Sequence, residues 1–200
     1  TDLALDASFD CKRVSAPSRL SPELVQTFEK MALTIAEALG LNGIMDLEVI
    51  HAGDCLKILE IDARLPSQTP ITVFGASGLN MVEVLGHLFS GRCNRIPPVP
   101  PLSCGTILEH VHFREGLLET GGEHLMASGG PLHLEFDFFG ADEAITNYTV
   151  GRAEWVATLI INAADRSEAW YKRNRVIENV MSRCPVRQYS DFDPVQQLQD

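Results

Sequence analysis

The sequence predicts an α+β fold, an antiparallel sheet with helices packed on it, followed by a small α/β carboxy-terminal domain. Three observations predict it. Two strand-like runs around a turn, GIMDLEVI (Gly43–Ile50) and LKILEIDAR (Leu56–Arg64), alternate apolar and acidic residues. An amphipathic helix with clear start and stop signals precedes them. A proline-rich stretch, Arg95-Ile-Pro-Pro-Val-Pro-Pro101, then separates off a second series of strand-like and helical runs. The expected division is therefore 1–95 and 96–200.

Residues 1–20 read as extended and lead to Ser21-Pro22-Glu23, where serine suits an N-cap, proline the first helical position, and glutamate the helix dipole. Leu24, Phe28, Met31, Ile35 and Leu39 recur at helical spacing, which predicts an inward-facing stripe behind the hairpin, and Gly40 supplies the C-cap. In the hairpin, Asp46 and Glu48 share one face of the first strand, and Glu60, Asp62 and Arg64 share one face of the second. A fold about Asp54, through a turn containing Gly53, sets Glu48 opposite Glu60 and Asp46 opposite Asp62, with Ile58 on the same side as Glu60. Like charges facing each other on a sheet are destabilising, and a hard divalent cation relieves the conflict. Mg²⁺ takes one or two carboxylates per ion and completes its shell with water and phosphate oxygens, so the cluster points to a nucleotide-phosphate site. A solvated hairpin face with scattered acids is the competing interpretation.

Prolines at 66 and 70 predict an irregular loop, LPSQTP, in which Ser67 and Gln68 offer substrate-binding groups beside the metal face. A helix over about Leu79–Phe89 follows, closed near Gly91. After the proline-rich connector, CGTILEHVHF (Cys104–Phe113), HLEFDFF (His133–Phe139) and WVATLIINA (Trp155–Ala163) read as strands, with a glycine-rich turn region at 121–130. Ser167 is expected to cap a helix to about Arg183, and the tail from Tyr189 is expected to be loose. The glycine spacing fits neither a Walker loop nor a dinucleotide fingerprint, so turns are expected there, with Glu123, His124, Asp142 and Glu143 as polar decoration of which one or two line the site. Lys12 and Arg13, in the first strand-like segment, are read either as cations that reach phosphate or substrate or, almost as readily, as a surface pair.

The net charge of −11 argues against a nucleic-acid backbone as partner. No apolar run is long enough for a membrane span and the first residues lack the order of a secretion signal, which predicts a cytoplasmic protein without a membrane partner. The five cysteines form no CxxC pair and are expected to be reduced thiols. A zinc site from Cys104, His110, His112 and His124 matches no common template.

LEVIHAGDCLKILEIDAR resembles the metal-binding end of the ATP-grasp superfamily, in which an acidic strand residue precedes a Glu-x-Asn-x-Arg segment. Here the segment is Glu60-Ile-Asp62-Ala-Arg64, twelve residues beyond Glu48, with aspartate where asparagine is usual. ASFDCKRVSAP, GLNGIMDLEVI, LEIDARLPSQTP, GGEHLMASGGPL and DFFGADEAITNY extend the likeness to the pyrrolysine-biosynthesis ligases within that superfamily. The resemblance implies a carboxy-terminal ATP-grasp subdomain and an ATP- and Mg²⁺-dependent ligase. It would join 3-methyl-D-ornithine to the ε-amine of L-lysine through an acyl phosphate, in an enzyme for which a homodimer is possible. On that basis Glu48, Glu60 and Asp62 hold Mg²⁺, with Glu48 and Glu60 the contacts to the nucleotide's metal. Arg64 is the catalytic cation, and Asp46 is an alternate ligand or a clamp for a substrate ammonium. The nucleotide-binding lysine, phosphate lid and adenine hinge of such enzymes are not visible, so the chain is expected to be part of a longer ligase and inactive alone. Another ATP-grasp ligase or carboxylase, or a non-catalytic metal- or nucleotide-binding module, are the alternatives.

Overall fold

The computed structural model describes residues 1–53, 55–91 and 104–192. Asp54, Cys93, the connector at 95–101 and residues 193–200 of the tail lie outside them. Within the described residues one large sheet runs in the order β1 (Asp2–Leu5), β2 (Cys11–Ala16), β5 (Gly105–Arg114), β9 (Glu154–Ala163), β8 (Ala141–Thr146), β7 (His133–Phe138), all neighbours antiparallel. The short β6 (Leu117–Thr120) pairs with the far end of β5 and carries β10 (Gln188–Ser190) in parallel. The sheet thus crosses the compositional boundary near 95, because β1 and β2 flank β5.

Strand β5 shows why the sheet is the core. It is buried along Gly105–Phe113 and pairs on one side with β9 over its whole length, on the other with β2 and then β6. Period-two alternation sends Ile107, Val111 and Phe113 to the face covered by α5 (Arg166–Arg183), where they meet Ala169, Val176, Ile177 and Val180. Trp155 sits at the centre of that layer, 5.7 Å from Phe113 and 5.3 Å from Tyr148, with Phe138 and Phe139 packed around it. Burying an aromatic cluster of this size contributes on the order of 2 to 3 kcal/mol per ring.

The other face carries α2 (Thr69–Ser77), packed on β5 and β2. Gly75 makes this contact possible: a Cβ there would lie 2.7 Å from Thr106 Oγ1 and 2.4 Å from Asn162 Oδ1, inside van der Waals distance. This helix corrects the expected loop, since Pro70 falls in its first turn, where a missing N–H costs nothing. Asn80 then caps α3 (Met81–Phe89). At α5 the cap is Asp165, which accepts from Glu168 N at 2.9 Å, rather than Ser167. Its Met181 is 41% exposed, whereas Val176, Ile177 and Val180 are buried as expected.

The hairpin β3 (Asp46–Ala52) and β4 (Cys55–Asp62) forms a separate two-stranded sheet. Helix α1 (Pro22–Leu39) has the expected Ser21 and Gly40 caps, Gly40 in the left-handed region at φ 57°, and its contacts are with β4. No α1 residue is buried: Leu24, Phe28, Met31 and Ile35 are half-buried and Leu39 is exposed, which corrects the expected inward stripe. The hairpin's Ile50, Ile58, Leu59 and Ile61 are exposed as well. Among the described residues no single helix is long and apolar enough to cross a membrane; α2 and α3 together pass by length and composition but are bent by 107°.

Candidate functional site

At the open end of the hairpin the register is Asp46 opposite Asp62, Leu47 opposite Ile61, and Glu48 opposite Glu60, as the alternation predicts. Between Glu48 and Val49 the pairing shifts by one, so that Val49 faces Ile58 and Ala52 faces Cys55. The bulge at Leu59 therefore moves Ile58 out of the phase expected for it, while leaving the four acids paired. Asp46, Glu48 and Asp62 are half-buried and Glu60 is exposed. Burial, then repulsion from Asp62 against the pull of Arg64, raises the Asp46 carboxyl above its usual range. Burial, then Asp46 and Glu60, raises Glu48. These are carboxylates held together without enough positive charge.

Arg64 is the single cation bonded into the cluster among the described residues. Its Nε and Nη2 lie 2.9 and 2.7 Å from the same Asp62 oxygen, Oδ2. The pair is exposed and worth at most about 1 kcal/mol, so the guanidinium is free to exchange partners.

The following segment does more than line a loop. Ser67 Oγ donates to Glu123 Oε2 at 2.9 Å, and Gln68 Nε2 donates to the same oxygen at 3.1 Å and to the Cys11 carbonyl at 3.3 Å. Glu123 thus joins the two predicted substrate-binding residues to the glycine-rich region. The sequence offered polar residues there without the spacing that singles one out. Burial raises the Cys11 thiol to about 12, with Glu48, Asp10 and Glu123 adding to the effect, so this thiol is no nucleophile and the hairpin's Glu48 reaches this neighbourhood electrostatically. Two deeply buried polar atoms in the region have no partner: Gln68 Oε1 and His110 Nε2. His110 Nδ1 lies 2.8 Å from Thr158 Oγ1; burial lowers its pKa although Glu123 and Asp10 oppose the shift.

Asp6, Asp10 and His124 form the one group among the described residues with metal-ligand spacing. Most of the carboxylate lone pairs are already used. Asp6 accepts from Ser8 N, Ser8 Oγ, Asp10 N and Gly122 N, and Asp10 from Cys11 N, His124 N and His124 Nδ1. Burial pushes both carboxyls up, but these hydrogen bonds outweigh it and hold them below the ordinary range. The group is a lock between the β1–β2 turn and the segment at 121–124. His112 instead bonds Glu119 and Glu154, so Cys104, His110, His112 and His124 do not gather around one point. Asp142 pairs with Lys172 at 2.6 Å.

Lys12 and Arg13, for which the sequence left open a surface pair or a contact to phosphate or substrate, are buried in an ionic core. Arg13 and Arg173 both clasp Glu109, which has no solvent exposure, and both reach Asp191, at 2.6 and 3.0 Å; Lys12 reaches Asp191 at 2.7 Å. Full burial pushes Glu109 up, and the two guanidinium groups overcome it and hold the carboxyl low.

No family model matches the chain. It is 33% identical over 180 residues to the 3-methyl-D-ornithine–L-lysine ligase of Methanosarcina mazei, covering 90% of this chain and 46% of that protein. The Methanosarcina acetivorans ligase of the same name is 32% identical over 86% of this chain and 45% of its own length. The chain thus spans a little under half the length of these relatives. The biotin carboxylase domain of Hydrogenobacter thermophilus 2-oxoglutarate carboxylase, solved with MgADP and bicarbonate, superposes with a TM-score of 0.62 at 16% identity, covering 88% of this chain and 40% of that one. Kluyveromyces lactis urea carboxylase superposes with a TM-score of 0.64 at 16% identity, over 89% of this chain and 16% of that one. The chain has the ATP-grasp fold. Its sequence is similar to those of the 3-methyl-D-ornithine–L-lysine ligases over most of its own length.

Proposed function

We propose that this ATP-grasp chain supplies the metal-holding part of an ATP-dependent carboxylate–amine ligase that joins 3-methyl-D-ornithine to the ε-amine of L-lysine. The observation that carries the proposal is the paired register of Glu48 with Glu60 and Asp46 with Asp62, four carboxylates with one exchangeable arginine. Oxygen-only donors, raised carboxyls and an exposed rim suit Mg²⁺; the hairpin oxygens stand too far apart to share one ion as they are, and rotation of the exposed Glu60 side chain would have to close the set. When bound, the ion neutralises the nucleotide's phosphates and so lets a substrate carboxylate approach the γ-phosphate.

The chain's own residues do the rest. Glu48, Glu60 and Asp62 hold the metal, and Asp62 has Oδ1 to offer while Arg64 occupies Oδ2. Arg64, weakly held, turns from Asp62 toward the oxygens of the transferring phosphoryl group or of the acyl phosphate, where negative charge accumulates. Asp46 stands as an alternate ligand or as the partner of a substrate ammonium. Glu123, aligned by Ser67 and Gln68, attracts an amino group. The attacking amine must be neutral, although its ordinary pKa is about 10.4. A carboxylate beside it takes one proton from the ammonium before attack; the neutral amine then forms the C–N bond as the C–O bond of the acyl phosphate breaks, and inorganic phosphate leaves with the second proton.

The test is titration of Mg-ADP into the chain, with Glu60→Gln as the comparison and ADP release in the presence of both amino acids as a second measurement. Weak Mg-ADP binding that disappears in Glu60→Gln at unchanged circular dichroism is expected, with no ADP release from this chain alone. Equal binding by Glu60→Gln and the parent chain would remove the hairpin from nucleotide chemistry.

A further inference from the structure

A second cleft lies between β1, β2 and the start of α5, and shares no residue with the hairpin site. Two adjoining cavities of about 410 and 480 Å³ have Arg19, Arg166 and Trp170 in common, so they are two lobes of one opening. The larger set of lining residues places four cationic side chains, Lys12, Arg13, Arg19 and Arg166, against two carboxylates, Asp2 and Asp191, on a chain whose net charge is −11.

The donors at this cleft exceed their acceptors. Lys12 and Arg13 are spent on Asp191 and Glu109. Arg166 Nη1 donates to the Pro17 carbonyl; its Nη2 stands 3.0 Å from Asp2 Oδ2 but out of line for a hydrogen bond, and has no other partner. The Asp2 carboxylate is also engaged by Ser18 Oγ and Arg19 N. Trp170 Nε1 is buried and has no acceptor at all. The exposed guanidinium of Arg19 stands close enough to Arg166 to repel it. Burial lowers the Arg166 pKa, Asp2 opposes that, and Arg19 adds to it. An indole N–H without an acceptor, a guanidinium N–H whose nearest carboxylate, Asp2, is out of line, and a second, exposed guanidinium therefore belong to three residues that line the same cleft. Buried donors without acceptors are costly, and an oxyanion with several lone pairs relieves that cost.

We propose that this cleft binds a compact oxyanion, a phosphate or a small carboxylate, held by Arg166, Trp170 and Arg19. The site is independent of the ligase proposal, because no hairpin residue contributes to it.

Trp170 reports on its own site, since the other tryptophan, Trp155, is buried in the core. Inorganic phosphate and succinate are titrated separately into the chain while tryptophan fluorescence and the melting temperature are followed. A saturable change with at least one of them identifies which oxyanion the cleft takes. Arg19→Gln, on an exposed side chain, is expected to weaken that binding about tenfold, the loss of one charge-assisted contact of about 1.4 kcal/mol. Trp170→Phe should abolish the fluorescence response and weaken binding in the melting experiment. Glu60→Gln should leave both responses intact, which separates this site from the nucleotide site. No saturable response to either anion, or a response unchanged in both Arg19→Gln and Trp170→Phe, overturns the proposal.

Discussion

Glu109 and Glu48 are both glutamates on strands, and the molecule treats them in opposite ways. Glu109 is sealed inside the sheet between Arg13 and Arg173, with Thr120 Oγ1 as a further donor, and its pKa is held low. Glu48 faces Glu60 beside Asp46, half-buried, and its pKa is pushed up. Burial destabilises the charged form in both places; the difference lies in what surrounds it. A carboxylate whose neighbours already neutralise it serves the fold, and one whose neighbours repel it is the kind that an added cation would stabilise.

The largest expected effect breaks the first half of this contrast. Glu109→Ala leaves two guanidinium groups buried without their anion, and should cost about 3 to 5 kcal/mol in urea unfolding. Next comes the metal side: saturating Mg-ADP at a hundredfold excess over its Kd should stabilise the parent chain by about 2.7 kcal/mol and Glu60→Gln not at all, as measured by melting. Without metal the order reverses, because Glu60→Gln removes a like-charge pair and should raise stability by up to about 1 kcal/mol. The smallest effect is Arg64→Gln, which alters unfolding by less than about 0.5 kcal/mol while weakening nucleotide binding, as suits an exposed pair.

Acid titration sharpens the same contrast through its sign. Asp191, lowered from 3.8 to about 2 because the pull of Arg13, Lys12 and Arg173 outweighs burial, binds fewer protons folded than unfolded. Its contribution is present above pH 3.8 and is lost as the pH falls toward about 2, and Asp191→Asn should flatten that limb of the unfolding curve. Asp46 and Glu48 are raised, so the folded chain binds more protons than the unfolded one, and stability falls as pH rises through the window just above the ordinary carboxylate values. Saturating Mg²⁺ should abolish that fall, whereas it leaves the Asp191 limb in place.

Much of the hairpin was legible because its signal is local. Side-chain alternation fixes which acids share a face, and facing like charges are improbable without a purpose. The same holds for α1, whose Ser21 and Gly40 caps are written in adjacent residues. What could not be read depends on distant partners. Glu109 looked like any polar strand residue until Arg13, 96 positions away, and Arg173, 64 positions away, were brought to it. Lys12 and Arg13 looked solvent-facing for the same reason, and the tail looked loose although Tyr189 and Asp191 are tied into that network. Helix α2 was hidden because proline reads as a breaker, yet in a first turn it breaks nothing. Glu123 had no motif around it, and only the fold sets it beside Ser67 and Gln68.

The bulge opposite Val49 divides the hairpin into two mechanically separate halves. Pairing at Asp46–Glu48 is anchored from the open end, so lengthening or shortening the chain around Gly53 can be absorbed at Leu59 without sliding one acid past its mate. The tip of the ribbon, at the end away from the four acids, is consequently the place to graft a fluorophore or an epitope without disturbing their alignment.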